Sequence, residues 1–274
     1  MMTGKIADRI EASAEKATRT EKVLIKKLLL LDAHELVYMS ITELAQKIDI
    51  AEATILRYCR KIGYKGFQDF KLSLSQELGD SLEVDVNDNA GFLENLVSKT
   101  LSKDAGLLPK DQAEEVAKKI LAANKVCCFG VGNSSIAGVF FTARLLKLGI
   151  EVVSLSDPHY QAIIAANLTK KDFLILVSVS GGTKDIIDVA KIARTNGVPI
   201  MVITNYPASP IAKFADYLFV SYGKEVAYQG GTTAAIISQI FILGVIAEYV
   251  CARLGKVAVE KTVKGAKSVS DKAL

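Results

Sequence analysis

The second half of the chain alternates short apolar runs with segments of helical periodicity. The apolar runs lie at residues 126–130, 151–156, 173–178, 198–204 and 217–220. Each run has the length and composition of a buried strand, and the segments around them predict helices, the last over residues 232–254. Five strands separated by helices predict an α/β domain with a doubly wound, five-stranded, mostly parallel sheet.

The strand predicted at residues 173–178 leads into a loop rich in hydroxyl groups and glycine. In the sequence FLILVSVSGGTKD the candidate ligands are Ser178, Ser180, Gly181, Gly182 and Thr183, and a helical pattern begins at Lys184. Hydroxyl and backbone N–H groups at the positive end of a helix stabilise an oxyanion without a lysine or arginine. The loop therefore indicates a phosphoryl-binding site, and an ordinary strand-to-helix turn is the other interpretation that fits it.

A loop of similar chemistry follows the strand predicted at residues 126–130. Residues 130–135, GVGNSS, again combine glycine with polar side chains in Gly132, Asn133, Ser134 and Ser135. In a sheet of the flavodoxin type, ligands bind at the carboxyl ends of the strands near the point where the strand order reverses. We therefore expect both loops at the same edge of the sheet.

Neither loop has the pattern of a nucleotide cofactor site. A lone G-x-G is a weak signal, and no acidic residue closes the predicted strand 151–156 as a ribose-binding carboxylate would. The chain also lacks the G-x-x-x-x-G-K-[ST] motif of a nucleoside triphosphate site. We expect no cofactor and no metal.

The first part of the chain predicts a small helical domain. Residues 6–31 have helical periodicity in one or two helices, with Thr20 as the cap between them. Ser40 and Glu43 have the S-x-x-E spacing of a capping box and open a short helix that ends near residue 48. A second helix is expected after a tight turn, over residues 51–62, where Gly63 takes the place of a C-terminal glycine cap.

This second helix separates into an apolar side and a basic side. The apolar side holds Ile55, Leu56, Cys59 and Ile62, and the other side holds Ala53, Thr54, Arg57, Arg60 and Lys61. The pattern matches a helix-turn-helix whose second helix enters the major groove of DNA. Arg57 is expected to reach base edges or phosphates, whereas Arg60, Lys61 and Lys65 fix the backbone register. The alternative interpretation is a three-helix bundle with a solvated basic face. The expected absence of acidic residues opposite these basic residues argues against that alternative.

Length and charge agree with two domains. The chain has 274 residues, of which 50% are hydrophobic and 23% charged, and a formal net charge of +4. Because this length exceeds one typical domain, we expect a DNA-binding domain at residues 1–78, a linker and connecting helix at 79–108, and a ligand-binding domain at 109–274. The basic charge is local, since residues 51–71 hold five basic and two acidic side chains.

Cysteine usage and hydropathy bear on the compartment. Cys59, Cys127, Cys128 and Cys251 form no C-x-x-C and are expected to be core thiols in a reducing compartment. The first residues are polar and charged, unlike a secretory signal. The apolar run at residues 234–251 is short for a membrane span and carries polar residues, so we interpret it as a core or dimer helix. We expect a cytoplasmic protein without membrane association.

These motifs together resemble a known family. The loops GVGNSS and SVSGGT, followed by SPIA at residues 209–212, are similar to the sugar isomerase (SIS) fold, which binds phosphorylated sugars. The segment ITELAQKIDIAEATILRYCRKIGYKGFQDFK at residues 41–71 resembles the N-terminal domain of RpiR-type transcription regulators. The resemblance covers nearly the whole chain and implies a DNA-binding regulator of carbohydrate metabolism whose C-terminal domain senses a sugar phosphate.

The resemblance also implies roles for particular residues. The phosphate ligands would be Ser134, Ser135, Ser178, Ser180 and Thr183. Glu225 matches an acidic residue that many SIS domains place near the sugar, with a solvated loop carboxylate as the other interpretation. His159 either faces the sugar or packs at a helix start. The implied partners are double-stranded operator DNA and a sugar phosphate, and the implied assembly is a homodimer or a dimer of dimers.

The chain departs from the family pattern where its last long helix begins. Many members have a Ser-Arg pair there, whereas this chain has GTTA at residues 231–234, so the resemblance does not define the contacts to the sugar or the identity of the ligand. The alternative function is an aldose–ketose isomerase of SIS type with an accessory helical domain. Isomerisation needs a positioned base, for which Glu225 and His159 are the evident candidates, but that function leaves the basic helix unexplained.

Overall fold

The computed structural model describes residue 2 and residues 4–80, 89–223 and 231–270. The chain divides into two compact units. The first holds residues up to Glu94, and the second holds Asn95–Gly223 and continues from Thr233. The domain limits 1–78, 79–108 and 109–274 remain predictions.

The first unit is entirely helical in its described residues. Its α-helices are α1 (Lys5–Ala12), α2 (Arg19–Leu30), α3 (Ala33–Tyr38), α4 (Ile41–Ile48), α5 (Glu52–Lys61) and α6 (Phe67–Asp80), with a 3₁₀ turn at Ser13–Lys16. Leu24, Leu44 and Ile55 are fully buried between these helices, and the rings of Phe67 and Phe70 stack in the same core. The two aromatic residues therefore close the core of the first unit.

The helix cap predicted at Thr20 is wrong. Thr18 caps α2 instead, because its hydroxyl accepts from the Glu21 N–H while the Glu21 carboxylate accepts from the Thr18 N–H at 2.7 Å. Thr20 lies inside the first turn of α2. Thr18 and Glu21 have the same three-residue spacing as Ser40 and Glu43, so the capping-box pattern was present in the sequence.

The helix α7 (Asn89–Leu107) contains the boundary between the two units along the chain. The second unit then follows the predicted alternation. Its elements are α8 (Lys110–Ala122), β1 (Val126–Phe129), α9 (Ser134–Leu146), β2 (Val152–Val153), α10 (Pro158–Ala166), β3 (Phe173–Val177), α11 (Lys184–Thr195), β4 (Ile200–Thr204), β5 (Tyr217–Val220), α12 (Gly231–Leu254) and α13 (Lys256–Lys267), with a 3₁₀ helix at Pro210–Phe214.

The five strands form one parallel sheet in the order β2-β1-β3-β4-β5. This confirms the doubly wound, flavodoxin-like topology predicted from the apolar runs. The strand β2 is shorter than the predicted run 151–156 and pairs only through Val152 and Val153, at the edge of the sheet. Strands β1 and β3 are buried along their whole length, as expected for central parallel strands covered on both faces.

The two faces of the sheet are covered by different helices. Buried residues of α8, α9 and α12 form a core against one face, and those of α10, α11 and the 3₁₀ helix form a core against the other. Burial raises the pKa of the Cys127 thiol to about 12, and Cys128 and Cys59 are buried as well. These cysteines are core residues, as predicted.

The helix α12 is long and apolar enough to cross a membrane, with a mean hydropathy of 2.0 over its most apolar window. Half of that window is buried inside the unit, where Ile242, Leu243 and Ile246 pack against the sheet. The helix therefore has the packing of a core helix. After it, Gly255 adopts a φ of +55° and the chain turns into α13, which the sequence pattern did not predict.

Candidate functional site

The helix α4 begins at the predicted capping box. The Glu43 N–H donates to Ser40 Oγ at 3.1 Å, and the Ser40 N–H donates to the Glu43 carboxylate at 2.9 Å. Two backbone donors that the helix itself leaves without an acceptor are thereby satisfied. The cap sets where α4 starts and hence where the following turn falls.

The turn between α4 and α5 is held by backbone geometry and by one lysine. Asp49 adopts a left-handed conformation with a φ of 49°, and the Ile50 N–H donates to the Ala45 carbonyl at 3.0 Å. Lys27 of α2 donates to the Ile48 carbonyl at 2.5 Å, so it neutralises the negative end of α4. The chain thus reverses tightly between α4 and α5, as a helix-turn-helix requires.

The faces of α5 agree with the predicted division. Ile55 and Cys59 are buried in the core of the first unit, and Leu56 is half-buried. On the other side Ala53, Arg57, Arg60, Lys61 and Lys65 are exposed, and Thr54 is half-buried. The structure also buries Tyr58, whose hydroxyl pairs with Ser13 Oγ at 2.7 Å and which the sequence pattern did not place in the core.

The basic residues of α5 differ in their surroundings. Within the described part of the chain, Arg57 hydrogen-bonds to its own helix, where Nε donates to the Ala53 carbonyl at 3.3 Å. Lys61 instead pairs with the Glu21 carboxylate at 2.7 Å and donates to the Lys16 carbonyl. The expected absence of acids opposite these bases is therefore wrong for Lys61. This lysine lowers the pKa of Glu21 through the hydrogen bond that it donates.

The loop after β3 is folded by its own hydroxyl groups. Ser178 Oγ accepts from the Gly181 N–H at 3.2 Å and lies 3.2 Å from Thr183 Oγ1. Ser180 Oγ accepts from the Gly182 N–H at 3.3 Å. Thr183 is the N-cap residue of α11, and its side chain makes no capping hydrogen bond to the N–H groups of the first turn. The loop thus combines hydroxyl groups with a helix start that lacks a side-chain cap.

The loop after β1 has a related geometry. Gly132 adopts a φ of +59°, and the Ser135 hydroxyl donates to its carbonyl at 2.7 Å. Asn133 precedes α9 without a side-chain capping bond. Ser134 is buried, and its Oγ accepts a hydrogen bond from Gln239 Nε2 at 3.2 Å. Because Gln239 is the donor in that bond, the Ser134 proton is available to another acceptor.

Both loops leave the sheet at its topological switch point. Strands β1 and β3 are neighbours, with Phe129 paired to Leu176, while the connection after β1 leads outward to β2. The helix α9 packs on one face of the sheet and α11 on the other. The loops therefore flank the crevice in which doubly wound sheets bind ligands.

Two further candidates stand outside this pair of loops. His159 is an exposed residue in the first turn of α10, where its N–H donates to the Asp157 carboxylate at 2.8 Å. Glu225 lies outside the described residues. Among the residues that the structure describes, no group of three or more His, Cys, Asp or Glu side chains is placed to hold a metal ion.

Two buried glutamines near the loops were not singled out as site residues from the sequence. Gln161 Nε2 donates to the carbonyls of Gly130 and Leu155, at 2.9 and 2.6 Å, and joins the end of β1 to the segment after β2. Gln239 supports Ser134. The available signal was a polar residue inside an otherwise apolar helix, which is uncommon in a core unless the side chain is hydrogen-bonded.

Comparison with known proteins agrees with both units. Residues 4–81 match the model of the helix-turn-helix domain of the rpiR family, and residues 119–249 match the SIS domain. An HTH-type transcriptional regulator of Haemophilus influenzae is 31% identical over 89% of this chain and 89% of its own length. The chain belongs to the RpiR family of transcription regulators.

Other relatives of this RpiR-family regulator extend over most of the chain. The RpiR regulator of Escherichia coli strain K12 is 25% identical over 74% of this chain and 72% of its own. The structure of Vibrio vulnificus NanR complexed with ManNAc-6P matches with a TM-score of 0.86 and 25% identity, over 97% of this chain and 98% of that one. The chain is therefore a helix-turn-helix regulator with an SIS domain.

Proposed function

We propose that this RpiR-family regulator binds operator DNA through α5 and a phosphorylated sugar through the loops after β1 and β3. Sugar phosphate binding changes its affinity for the operator. The observation that carries the proposal is the contact between Ser178 and Thr183, whose hydroxyl oxygens lie 3.2 Å apart at the uncapped start of α11. Two hydroxyl groups beside the N–H groups of a helix start have the donor chemistry that a phosphate dianion requires.

The effector ligands are Gly132, Asn133, Ser134 and Ser135 of the first loop, Ser178, Ser180, Gly181, Gly182 and Thr183 of the second, and Glu225. Without a basic residue in either loop, the site binds phosphate through neutral donors. NanR of Vibrio vulnificus, which binds ManNAc-6P, matches this chain over both units. A phosphorylated amino sugar is therefore the first effector class to test.

The DNA contacts are Ala53, Thr54, Arg57, Arg60, Lys61 and Lys65. Ala53 lies near the start of α5 and is exposed, which permits close approach of the helix to the base edges. Arg57 projects from the same side and forms no ion pair with an acidic side chain among the described residues. Its guanidinium is therefore available for a base or a phosphate. Lys61 contributes less than the others because Glu21 already neutralises part of its charge.

The protein acts as a homodimer, or a dimer of dimers, in the cytoplasm. A twofold dimer presents two copies of α5 and therefore recognises a palindromic or repeated operator. Light scattering during size-exclusion chromatography measures this directly. A protein that remains monomeric at the concentrations that bind DNA contradicts this part of the proposal.

Titrating the protein into the DNA upstream of its own gene tests whether a sugar phosphate changes operator affinity. Fluorescence anisotropy would measure operator affinity at fixed salt, alone and with ManNAc-6P, glucosamine 6-phosphate, glucose 6-phosphate or ribose 5-phosphate, because DNA affinity depends strongly on ionic strength. We expect one phosphorylated sugar to change the affinity and its unphosphorylated form to have no effect. Absence of sequence-specific DNA binding under every condition contradicts the regulator function.

The double variant Ser180→Ala/Thr183→Ala is expected to abolish the response and to leave DNA affinity unchanged. Its matched control is Thr195→Ala at the opposite end of α11, where the hydroxyl donates only to the Lys191 carbonyl. A double variant with a normal response would locate the effector elsewhere. Interconversion of aldose and ketose phosphates by the purified protein would instead favour the isomerase alternative.

A further inference from the structure

Two consecutive polar residues interrupt the buried face of α12. Ser238 and Gln239 are 0% and 1% exposed, in a helix that is otherwise apolar from Ala234 to Val250 except for the exposed Glu248. A buried polar side chain costs free energy unless it is hydrogen-bonded, so packing alone does not account for these two residues.

Gln239 connects α12 to the proposed phosphate site. Its Nε2 donates to Ser134 Oγ at 3.2 Å, and its own Oε1 is buried without a hydrogen-bond partner. When a phosphate oxygen accepts the Ser134 proton, the serine oxygen becomes a better acceptor for Gln239, because hydrogen bonds in a chain polarise one another. Occupancy of the first loop therefore acts on α12.

Asp104 of α7 is buried with 1% exposure. Asp104 Oδ1 accepts from the Tyr222 N–H at 2.7 Å. Asp104 Oδ2 and Ser238 Oγ are both buried without a hydrogen-bond partner among the described residues. The segment that this carboxyl holds packs closely on α12, since a Cβ atom on Gly223 would lie 2.3 Å from the Ala234 carbonyl oxygen.

A second contact supports the link between α7 and the segment after β5. The Lys103 ammonium donates to the Tyr222 hydroxyl and lies 3.9 Å from the centre of the tyrosine ring. The Gly223 carbonyl accepts from Asn205 Nδ2 at 2.6 Å, which ties the same segment to the loop after β4. Residues 221–223 are therefore fixed between α7 and the ligand-binding edge of the sheet.

We propose that Gln239 and Asp104 couple occupancy of the first loop to the position of α7, through which the chain enters the second unit. Gln239 is the positioning residue for Ser134, and Asp104 holds α7 against the segment at Tyr222 and Gly223, which packs on α12. The inference rests on the proposed function, since it specifies how that same site acts on DNA binding. A sugar phosphate can change operator affinity in this way only if it binds two conformations of the protein with different affinities.

Variants at both ends of this link test it, measured on the full chain. The probe is ManNAc-6P or whichever other sugar phosphate of the panel binds most tightly by calorimetry. Operator affinity would be measured with and without a saturating concentration of that compound, for Gln239→Met, which keeps side-chain length, and for Asp104→Ala. The control is Asp172→Ala, since Asp172 is also a buried aspartate of the second unit and accepts from the Thr169 N–H at 2.8 Å.

We expect the effector-dependent change in operator affinity, typically on the order of tenfold, to fall below about twofold in Gln239→Met and Asp104→Ala. Operator affinity without effector stays within about twofold of the wild type, and the control keeps the full response. In the wild type, sugar phosphate is also expected to alter amide exchange around Asp104. This measurement does not depend on whether a variant folds.

The outcomes separate the two proposals. A wild type that binds none of the sugar phosphates contradicts the proposed function and this inference with it. A wild type that binds and responds, with unchanged exchange in α7, overturns the inference and leaves the proposed function standing. A full effector-dependent change in operator affinity in either variant, if it is folded, likewise overturns the inference and leaves the proposed function standing.

Discussion

Gly181 lies directly against Ser209, the residue that precedes the 3₁₀ helix between β4 and β5. A Cβ atom on Gly181 would overlap the Ser209 side chain and lie 2.9 Å from Thr204 Oγ1. The Gly181 carbonyl accepts from the Ile211 N–H at 3.0 Å, so the second loop is anchored to the segment after β4. The shape of the proposed phosphate site thus depends on the absence of a side chain at this position.

Gly181→Ala is therefore expected to abolish sugar phosphate binding. The glycine has a φ of +60°, which is unfavourable for alanine, and the added methyl group displaces the loop from Ser209. Calorimetry against the panel compound checks this. The matched control is Gly265→Ala in α13, because a Cβ there would meet no described atom within 4 Å and the residue lacks a positive φ. Equal sugar phosphate affinities in the two variants would contradict the placement of the phosphate site at the loop after β3.

Arg57 and Lys61 are predicted to differ in DNA binding despite their equal charge. Arg57→Ala should cost about 1–3 kcal/mol of operator binding if the guanidinium reads a base. Lys61→Ala should cost less, since this ammonium is already 2.7 Å from Glu21. Anisotropy titrations at two salt concentrations measure both. Equal losses would mean that the Lys61–Glu21 pair opens on DNA.

The topology of the sheet was predictable because buried parallel strands are continuous apolar runs. The sequence FLILV of β3 is buried at every position, so no alternation was needed to recognise it. The short helices α4 and α5 were predictable for another reason, since Ser40 with Glu43 and the glycine at position 63 mark their limits. Gly63 indeed has a φ of +95°.

The supports of the candidate site were not predictable, because they join residues that are far apart in sequence. Gln239 lies 105 positions after Ser134, and only the fold brings the two side chains together. The pairing of Lys61 with Glu21, across 40 positions, depends in the same way on how α2 packs beside α5. Local patterns identify the loops, whereas tertiary contacts decide which of their groups remain available.

The capping box of α4 is predicted to stabilise the helix-turn-helix locally. Ser40→Ala removes the acceptor of the Glu43 N–H and should cost about 1 kcal/mol. Amide exchange of α4 measures this local opening better than global unfolding does, because a chain of two units does not unfold in one step. Thr42→Ala, inside the helix, is the control and should have little effect since alanine is a good helix former. Equal protection in both variants would contradict the role of the cap.

The buried Asp104 carboxyl is expected to make the free energy of unfolding depend on pH. Its pKa is raised above the ordinary value of 3.8 by burial, while Ser238 and the Tyr222 N–H act in the opposite direction. A carboxyl that binds its proton more tightly in the folded state makes folding less favourable as the pH rises through its pKa. Asparagine at this position carries no charge but keeps an oxygen for the Tyr222 N–H. We therefore expect Asp104→Asn to gain stability relative to the wild type as the pH rises from below 3.8 towards neutrality.

Urea unfolding of the second unit across this pH range tests whether Asp104→Asn gains or loses stability relative to the wild type. The comparison variant is Asp188→Asn, because the exposed Asp188 carboxylate accepts a hydrogen bond from Lys191 that lowers its pKa. Its contribution to stability is present at neutral pH and lost as the pH falls through its folded pKa, so this variant should lose stability slightly at neutral pH. If Asp104→Asn instead loses stability as the pH rises, the folded protein favours the charged carboxylate. Asp104 would then hold α7 as an ion, and the hydrogen bond from the Tyr222 N–H would outweigh the cost of its burial.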